Sequence, residues 1–415
     1  MVNGQFSARR ETSILVLTST FPRWQGDTEP GFVYQLCQRL SDSHNIKVLA
    51  PHCMGAKQKE VMGDVEIVRF RYFLEKYQTL AYAGGILAKI KENRLRMLLV
   101  PFFFLFQLMH LLTLLREERY AAIHAHWLIP QGFVAILAML FAGKSIPLIC
   151  ISHGGDLHAL QGSVFRLCKL WVLRRCTAVC VVSHSMADYL RQLGVPEDKI
   201  HIAPMGVDLT TVFTPDEKTV RDKNSILFVG RLVEKKGVKY LLQAFRENLK
   251  NNRSLKLVII GDGPDKLPLM DLAKHLEIDD HTIFVGPVSS ENLPYYYRSA
   301  GMLVAPFIKT DAGDQEGLGL VLIEALGCHC PVIASDLPAV KDVIIDGETG
   351  LLVMSGNVRE LTAKIEYLLS QPDLAERIGR NGREFIMTKF DWSIVSRRYK
   401  TITSKIIYQV TGYNC

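Results

Sequence analysis

A pair of glutamates flanks a glycine-rich turn in the last third of the chain. Glu316 precedes Gly317-Leu318-Gly319, and Glu324 follows after seven intervening residues, inside the helix predicted by the apolar run from Leu320. At 3.6 residues per turn, both carboxylates can face one cleft. The unpaired amides of Gly319 and Leu320, at the positive end of the helix dipole, favour a phosphate. The pattern indicates a ligand with phosphate and hydroxyl groups, although a surface acid and a capping acid on an ordinary helix remain an equal alternative.

Two cations occupy a second glycine-bounded loop. Arg231 and Lys236 lie between Gly230 and Gly237, after the predicted strand at residues 225–229 and before a predicted helix. The guanidinium offers a planar fork of donors and the ammonium a compact charge, so together they are suited to a diphosphate. A charged surface loop without a ligand is the alternative interpretation.

A histidine follows directly after another apolar run. Residues 147–151 are continuously apolar, which is typical of a buried parallel strand, and they lead into Ser152-His153-Gly154-Gly155-Asp156. Ligands bind at the carboxyl ends of such strands, and glycines let them approach the backbone closely. His153 is therefore predicted to contact the ligand. Asp156 either faces the same cleft or caps a helix that begins near Leu157.

Two further segments are predicted to reach the same edge of a sheet. The loop after the first predicted strand, residues 13–19, contains Gly26 and Asp27 and precedes a helical pattern at residues 31–40. The predicted strand at residues 121–126 carries His124 and His126 on one face, because successive side chains alternate. We interpret His126 as part of the cleft wall and His124 as a structural histidine. Two histidines without a third ligand do not predict a metal site.

These motifs, in this order, resemble those of the retaining glycosyltransferases of family 4. The resemblance extends from about Ser13 to Tyr399 and rests on five separate motifs, of which the glutamate spacing and the loop with Arg231 and Lys236 are the most characteristic. It implies the GT-B fold, in which two Rossmann-like, doubly wound α/β domains face a central cleft. The strand, loop and helix pattern is consistent with this fold class.

The resemblance also implies a role for each candidate residue. In the transferase, Glu316 would hold hydroxyls of the transferred sugar, Glu324 the ribose, and His153 would border the reacting carbon. The cations and the amides of Gly319 and Leu320 would hold the donor diphosphate, and backbone groups of Pro287 and Val288 the base. The acceptor side is assigned to Gly26, Asp27, His126 and Asp156.

The length of 415 residues suits two domains. A polar, threonine- and lysine-rich linker at about residues 209–224 divides two series of strand and helix signals. We predict an N-terminal acceptor-binding domain at residues 1–214 and a C-terminal nucleotide-sugar-binding domain at residues 215–388. Residues 389–415 are expected to form a helix that packs back on the first domain, as in the family.

Charge and cysteine content limit the other classes of protein. Residues 1–215 contain 23 Lys and Arg against 16 Asp and Glu, hence 23 − 16 = +7, whereas residues 216–415 contain 26 of each. The basic half suggests an anionic partner, but the nucleic-acid signatures are missing from the sequence, so we expect no nucleic acid. Nine cysteines without paired spacing and no signal-peptide pattern favour the reducing cytoplasm.

The segment from Lys89 to Leu115 combines a basic cluster with a long apolar run. Its 19 residues from Met97 are long enough for a bilayer, but Pro101 and the polar interruptions weigh against a transmembrane helix. Two alternatives remain: a helix packed on the sheet, or a face that enters an anionic membrane surface. The basic helix at residues 164–175 leaves the same two alternatives open.

The resemblance implies a retaining hexosyltransferase without a metal or other cofactor, whose co-substrate is a UDP- or GDP-linked sugar. The acceptor would be a saccharide or lipid-linked saccharide in cell-surface polysaccharide biosynthesis. We expect a cytoplasmic protein, with a peripheral position on the inner face of the plasma membrane as the alternative. A sugar-nucleotide 2-epimerase on the same fold and a non-catalytic sugar-binding relative are the competing hypotheses.

Overall fold

The computed structural model describes residues 12–412, apart from residues 28, 30, 83 and 159–161. Within this part of the chain, the backbone forms two β-sheets with helices around them. The polar tail through Glu11 and two positions of the predicted acceptor loop, Thr28 and Pro30, lie outside the described residues.

The first sheet contains eight strands. They are β1 (Ser13–Leu17), β2 (Asn45–Pro51), β3 (Lys59–Met62), β4 (Val65–Phe70), β5 (Ala122–His126), β6 (Leu148–Ser152), β7 (Ala178–Val181) and β8 (Ile200–Ile202). Their order is β3-β4-β2-β1-β5-β6-β7-β8, and every neighbouring pair is parallel except β3 and β4. The sequence did not predict β3, because it is short and partly charged, as edge strands often are.

Helices of the first domain cover both faces of this sheet. They are α1 (Phe32–Leu40), α2 (Ile86–Glu92), α3 (Val100–Glu117), α4 (Phe133–Ala142), α5 (Gly155–His158), α6 (Ser163–Arg175) and α7 (His184–Gln192). In α1, the buried residues recur every three or four positions, so one stripe of the helix packs against the sheet.

The second sheet contains six strands, all in parallel pairs. They are β9 (Asp222–Val229), β10 (Lys256–Ile260), β11 (Thr282–Gly286), β12 (Ala300–Ala305), β13 (Val332–Ser335) and β14 (Leu351–Val353), in the order β11-β10-β9-β12-β13-β14. The accompanying helices are α8 (Val238–Asn251), α9 (Lys266–His275), α10 (Leu293–Ser299), α11 (Leu320–Gly327), α12 (Val358–Ser370), α13 (Pro372–Phe390) and α14 (Trp392–Thr411). The predicted fold class, two doubly wound α/β domains, is confirmed.

The last helix returns to the first domain. The Trp392 indole N–H donates to Gln35 Oε1 at 3.0 Å, and the Tyr399 hydroxyl donates to the carbonyl of Ala203 at 2.7 Å. A Cβ on Gly206 would lie 2.4 Å from the Trp392 ring, so the close approach of this helix requires a glycine there. The predicted boundaries at residues 214 and 388 stay a prediction.

Candidate active site

The order of the strands places a crevice in each domain. In the second sheet, β10 and β11 follow on one side of β9, while β12 lies on its other side. In the first sheet, β2 and β5 flank β1 in the same way. Loops that leave neighbouring strands in opposite directions open a crevice at the carboxyl ends, which is where open parallel sheets bind ligands. The candidate residues lie at the ends of β1, β5, β6, β9, β11 and β12 or in the segments that follow them.

The two motif glutamates of the second domain share one lysine. Lys236 Nζ donates to Glu316 Oε2 at 2.6 Å, and both side chains are largely buried. Burial raises the pKa of Glu316, but the neighbouring Lys236 and Lys235 more than offset this, so its pKa lies below the usual value. Burial raises the pKa of Glu324, and the hydrogen bond from Tyr297 and the charge of Lys236 lower it only in part. The structure therefore brings both glutamates and Lys236 to one cluster.

Tyr297 fixes the second of these glutamates, a contact that the sequence did not predict. Its hydroxyl donates to Glu324 Oε2 at 2.7 Å, and its ring is fully buried. Burial together with the adjacent carboxylate raises the pKa of Tyr297 well above the usual value, so the phenol stays a donor. Tyr297 and Glu324 are 27 positions apart in the sequence. Tyr297 is the last of three consecutive tyrosines, and the sequence does not indicate which of them contacts Glu324.

A cavity of about 370 Å³ is lined in part by Tyr295 and Tyr296 of α10, the two residues before Tyr297. Both residues assigned to the base, Pro287 and Val288, belong to its wall. The complete lining consists of Pro287, Val288, Ser289, Asn292, Tyr295 and Tyr296. Tyrosine rings and loop backbone of this kind suit a planar base.

The start of α11 has the geometry expected of a phosphate-binding turn. Gly319 has φ +86°, a left-handed conformation that glycine adopts without strain, and α11 begins at Leu320. The helix N-terminus lies three residues after Glu316, next to Lys236. Unpaired amides and a cation therefore point to the same side of the crevice.

The two domains touch across the crevice at this point. A Cβ on Gly317 would lie 2.7 Å from the carbonyl oxygen of His153, so glycine is required for the contact between the loops. The Arg231 guanidinium also crosses the crevice and donates to the carbonyl of Gly84 at 2.8 Å. The His184 backbone N–H donates to the Asp342 carboxylate at 2.7 Å. His153 and Glu316 consequently lie on opposite walls of one cleft.

Comparison with known protein families agrees with this arrangement. The model described as Glycosyl transferases group 1 matches residues 213–385, and the model described as Glycosyltransferase Family 4 matches residues 32–211. The two matches contain both sheets except for β1. The chain belongs to the family 4 glycosyltransferases.

Individual proteins extend the likeness over the whole chain. The glycosyltransferase is 29% identical over 401 residues to the GDP-mannose-dependent alpha-(1-6)-phosphatidylinositol monomannoside mannosyltransferase of Mycolicibacterium smegmatis, covering 94% of this chain and 98% of that protein. It is 26% identical over 296 residues to the N-acetyl-alpha-D-glucosaminyl L-malate synthase of Bacillus anthracis, covering 69% and 75%. The structure of sucrose-phosphate synthase from Thermosynechococcus elongatus superposes with a TM-score of 0.78 at 20% identity, covering 96% and 100%.

Two acidic residues assigned to the acceptor side of the glycosyltransferase have partners within its first domain. The Asp27 carboxylate, whose side chain is 1% exposed, binds the Arg23 guanidinium at 2.6 Å. Asp156 is buried, accepting from the Leu128 backbone N–H at 2.8 Å and from the Ser152 hydroxyl at 2.7 Å. Both carboxylates hold loops of the first domain in place. Their assignment to the acceptor side, and the alternative role of Asp156 as a helix cap, stay predictions.

The two remaining acceptor-side candidates differ in position. Gly26 turns the loop after β1 with φ +79°, as expected of a glycine in a turn. His126 is 1% exposed, and its Nδ1 lies 2.9 Å from His153 Nε2. Its assignment to the cleft wall stays a prediction. His124, interpreted as structural, is fully buried with Nε2 3.2 Å from the Thr403 hydroxyl of α14.

Metal-ligating side chains do not converge in the described part of the glycosyltransferase, where groups of three or more His, Cys, Asp or Glu suited to a metal are not found. In the acidic loop before Glu316, Asp314 forms an ion pair with Lys235 at 3.0 Å. Metal independence stays a prediction.

Proposed function

We propose that this glycosyltransferase is a retaining hexosyltransferase. It moves a hexose from a UDP- or GDP-linked sugar to a saccharide or lipid-linked saccharide in cell-surface polysaccharide biosynthesis. The observation that carries the proposal is the cluster of Glu316, Glu324 and Lys236 beside the amide-rich start of α11, facing His153 across the cleft.

The reaction follows from the charge that each group meets. As the bond between the anomeric carbon and the diphosphate oxygen breaks, negative charge grows on the diphosphate. Arg231, Lys236 and the amides of Gly319 and Leu320 stabilise that charge. Glu316 orients hydroxyls of the hexose and Glu324 those of the ribose.

The acceptor hydroxyl forms the new bond to the anomeric carbon on the face that the diphosphate leaves. Its proton passes to an oxygen of the departing diphosphate, so the configuration is retained and no protein base is needed. A transfer assay with NMR of the anomeric proton tests retention. An inverted product would overturn the mechanism.

The identity of the donor is tested first with nucleotides alone. The similarity to a GDP-mannose-dependent mannosyltransferase of Mycolicibacterium smegmatis makes GDP-mannose the first donor to assay. A ligand that binds only the folded state raises its stability, so thermal unfolding with GDP, UDP and ADP ranks the bases. Transfer from the matching nucleotide sugar, unchanged in excess EDTA, is the expected result. If no nucleoside diphosphate stabilises the protein, the proposal fails.

A surface of the first domain favours a lipid-linked acceptor at an anionic membrane. One helical stretch, Arg94–Glu117, has the length and composition to cross a membrane, with 28% of its most apolar window buried. Its buried residues pack on the sheet, whereas Leu98, Phe102, Leu105 and Met109 recur every three or four positions on an exposed face. We call this exposed face, together with the neighbouring helix α2, the apolar rim.

The apolar rim carries matching charge and lies close to the cleft. Residues 86–99 contain four Lys and Arg against one Glu. The helices α3 and α6 each connect one strand of the parallel sheet to the next, so both begin at its carboxyl edge. At the start of α6, Val164, Phe165 and Leu167 are exposed. Exposed apolar side chains next to a cluster of cations suit the interface of an anionic bilayer.

Vesicle sedimentation tests this part of the proposal. Vesicles with about 30 mol% phosphatidylglycerol have a clearly anionic surface. We expect the protein to bind these vesicles more strongly than vesicles of pure phosphatidylcholine. Leu98→Asp with Leu105→Asp should abolish binding. Leu267→Asp, at a leucine of the second domain with 71% exposure, is the matched control. Binding unaffected by the double substitution, or self-association through the rim instead, would overturn it.

The competing epimerase hypothesis is favoured by no observation in the described residues. Incubation with one sugar nucleotide and no acceptor distinguishes the two: an epimerase converts it to the C2 epimer, whereas a transferase leaves it intact or hydrolyses it slowly.

A further inference from the structure

Two histidines form a direct contact behind the cleft. His126 Nδ1 lies 2.9 Å from His153 Nε2, and their rings are nearly coplanar, with 5° between the planes and 5.2 Å between centroids. His153 also contacts the rings of Phe32 and Trp127, each with a centroid distance of 4.9 Å. The His153 ring is therefore fixed on several sides, with His126 as its polar neighbour.

The backbone that delivers His126 is itself held firmly. Trp127 has φ +77°, which is strained for a bulky residue and persists only where the surroundings enforce it. Its N–H donates to the carbonyl of Ile151 at 2.8 Å. With its amide oriented to satisfy both neighbours, Gln131 donates to the His126 carbonyl and accepts from the Ser19 N–H, each at 3.0 Å. Strain of this kind clusters at functional sites.

The surroundings of His126 determine which ring nitrogen carries the proton. Burial lowers the pKa of both histidines, that of His153 to about 3, so both rings are neutral at pH 7. His126 Nε2 is buried without a hydrogen-bond partner among the described residues. An unpaired buried N–H is rare in proteins. The proton of His126 is therefore on Nδ1, where it is donated to His153 Nε2.

We propose that His126 is a positioning residue that locks His153 in the tautomer protonated at Nδ1, so that His153 presents a hydrogen-bond donor to an oxygen of the bound sugar. The inference rests on the proposed function for the sugar as ligand, whereas the tautomer itself is independent of it. An acceptor nitrogen at the same place would instead require a donor hydroxyl, so the tautomer sets which sugar oxygens are tolerated.

NMR of ¹⁵N-histidine protein tests the tautomer directly. Both His126 and His153 are expected to show the proton on Nδ1. In His126→Leu, which removes the donor, His153 should become a mixture of tautomers. A proton on His153 Nε2 in the unsubstituted protein would overturn the inference. This measurement needs no turnover, so it separates failure of the inference from failure of the proposed function.

Kinetics test the consequence, with a matched control on the same strand. His126→Leu should lower kcat about 100-fold, the loss typical of a misplaced group in the site, while the affinity for nucleoside diphosphate stays within about twofold because its ligands lie in the other domain. His126→Asn keeps a donor near the position of Nδ1 and should recover at least about tenfold of that loss. His124→Leu removes an equally buried histidine two residues away and should leave kcat within about twofold.

Thermal unfolding of all three variants checks that each is folded. If His126→Leu loses no more kcat than His124→Leu, or if His126→Asn is as impaired as His126→Leu, His126 has only a structural role and the inference is wrong.

Discussion

The two walls of the cleft, which we propose as the donor wall in the second domain and the acceptor wall in the first, use their polar residues differently. In the second domain, Lys236, Glu316 and Glu324 lie in one crevice. In the first domain, the carboxylates of Asp27 and Asp156 are bonded to Arg23, Leu128 and Ser152 of the same domain. A wall that binds charged diphosphate needs charged side chains directed at it, whereas a wall that receives a neutral hydroxyl needs shape. The polar residues of the acceptor wall accordingly hold its loops.

The largest expected difference concerns Glu316. Glu316→Ala should lower kcat about 10²- to 10³-fold, because a group that orients the sugar in the transition state is lost. Steady-state transfer assays measure this. Asp311→Ala, an exposed acid of the same loop, is the control and should be near the unsubstituted rate. A kcat for Glu316→Ala within about threefold of normal would contradict the assigned role.

The second prediction concerns the diphosphate. Lys236→Met should weaken binding of the nucleoside diphosphate about 10- to 100-fold, since charge-assisted hydrogen bonds contribute roughly 1.5–3 kcal/mol. Isothermal titration calorimetry measures the Kd. Lys239→Met, an exposed lysine at the start of α8, should bind normally. Equal losses in both variants would indicate only a general effect of positive charge.

The third prediction sharpens the role of Tyr297. Tyr297→Phe removes the hydrogen bond to Glu324 and should weaken nucleotide binding about tenfold, the value of one bond to a charged group. Tyr367→Phe removes a hydroxyl from an exposed tyrosine of α12 that does not line the cavity, and it serves as the control. If both variants bind equally well, Glu324 does not depend on Tyr297 for its position.

The fourth prediction contrasts the acceptor wall. Asp156→Ala should lower the free energy of unfolding by about 1–3 kcal/mol, because the Leu128 N–H is left buried without an acceptor. The Kd for nucleoside diphosphate should change less than about twofold. Urea unfolding and calorimetry measure both quantities. A weaker Kd with unchanged stability would place Asp156 in the ligand site after all.

The smallest expected effect is a pH dependence carried by the first domain. Burial lowers the pKa of His124 and of His153 to about 3, so the folded protein binds fewer protons than the unfolded chain from about pH 6.5 to 3. The free energy of unfolding is therefore highest above pH 6.5 and falls as the pH drops through this window. Between pH 7 and 6 the fall is about 0.7 kcal/mol for each histidine.

Urea unfolding at the two pH values tests this, with His124→Leu as the comparison. The variant should lose less stability between pH 7 and 6 than the unsubstituted protein. An identical fall in both would show that His124 does not contribute.

The fold could be predicted from the sequence because strands and helices are indicated by local patterns of apolar and polar residues. Apolar runs such as residues 147–151 predicted β6 within a residue, since a buried parallel strand must be apolar throughout. The short strand β3 was missed, because an edge strand needs no continuous apolar run. For the site, candidate residues could be named from the sequence, but not the partners of Asp27 and Asp156 within the first domain.

The amino-acid sequence alone determined the two α/β domains, the glycine turn before α11 and the set of charged residues near it, because each depends on neighbours a few positions away. Only the tertiary structure decided the contacts between them. Lys236 and Glu316 are 80 residues apart, Arg231 and Gly84 are 147 apart, and His126 and His153 are 27 apart. The partner of a buried polar group is the donor or acceptor that the packed elements bring within about 3 Å, the length of one hydrogen bond. No local sequence pattern encodes which group that is.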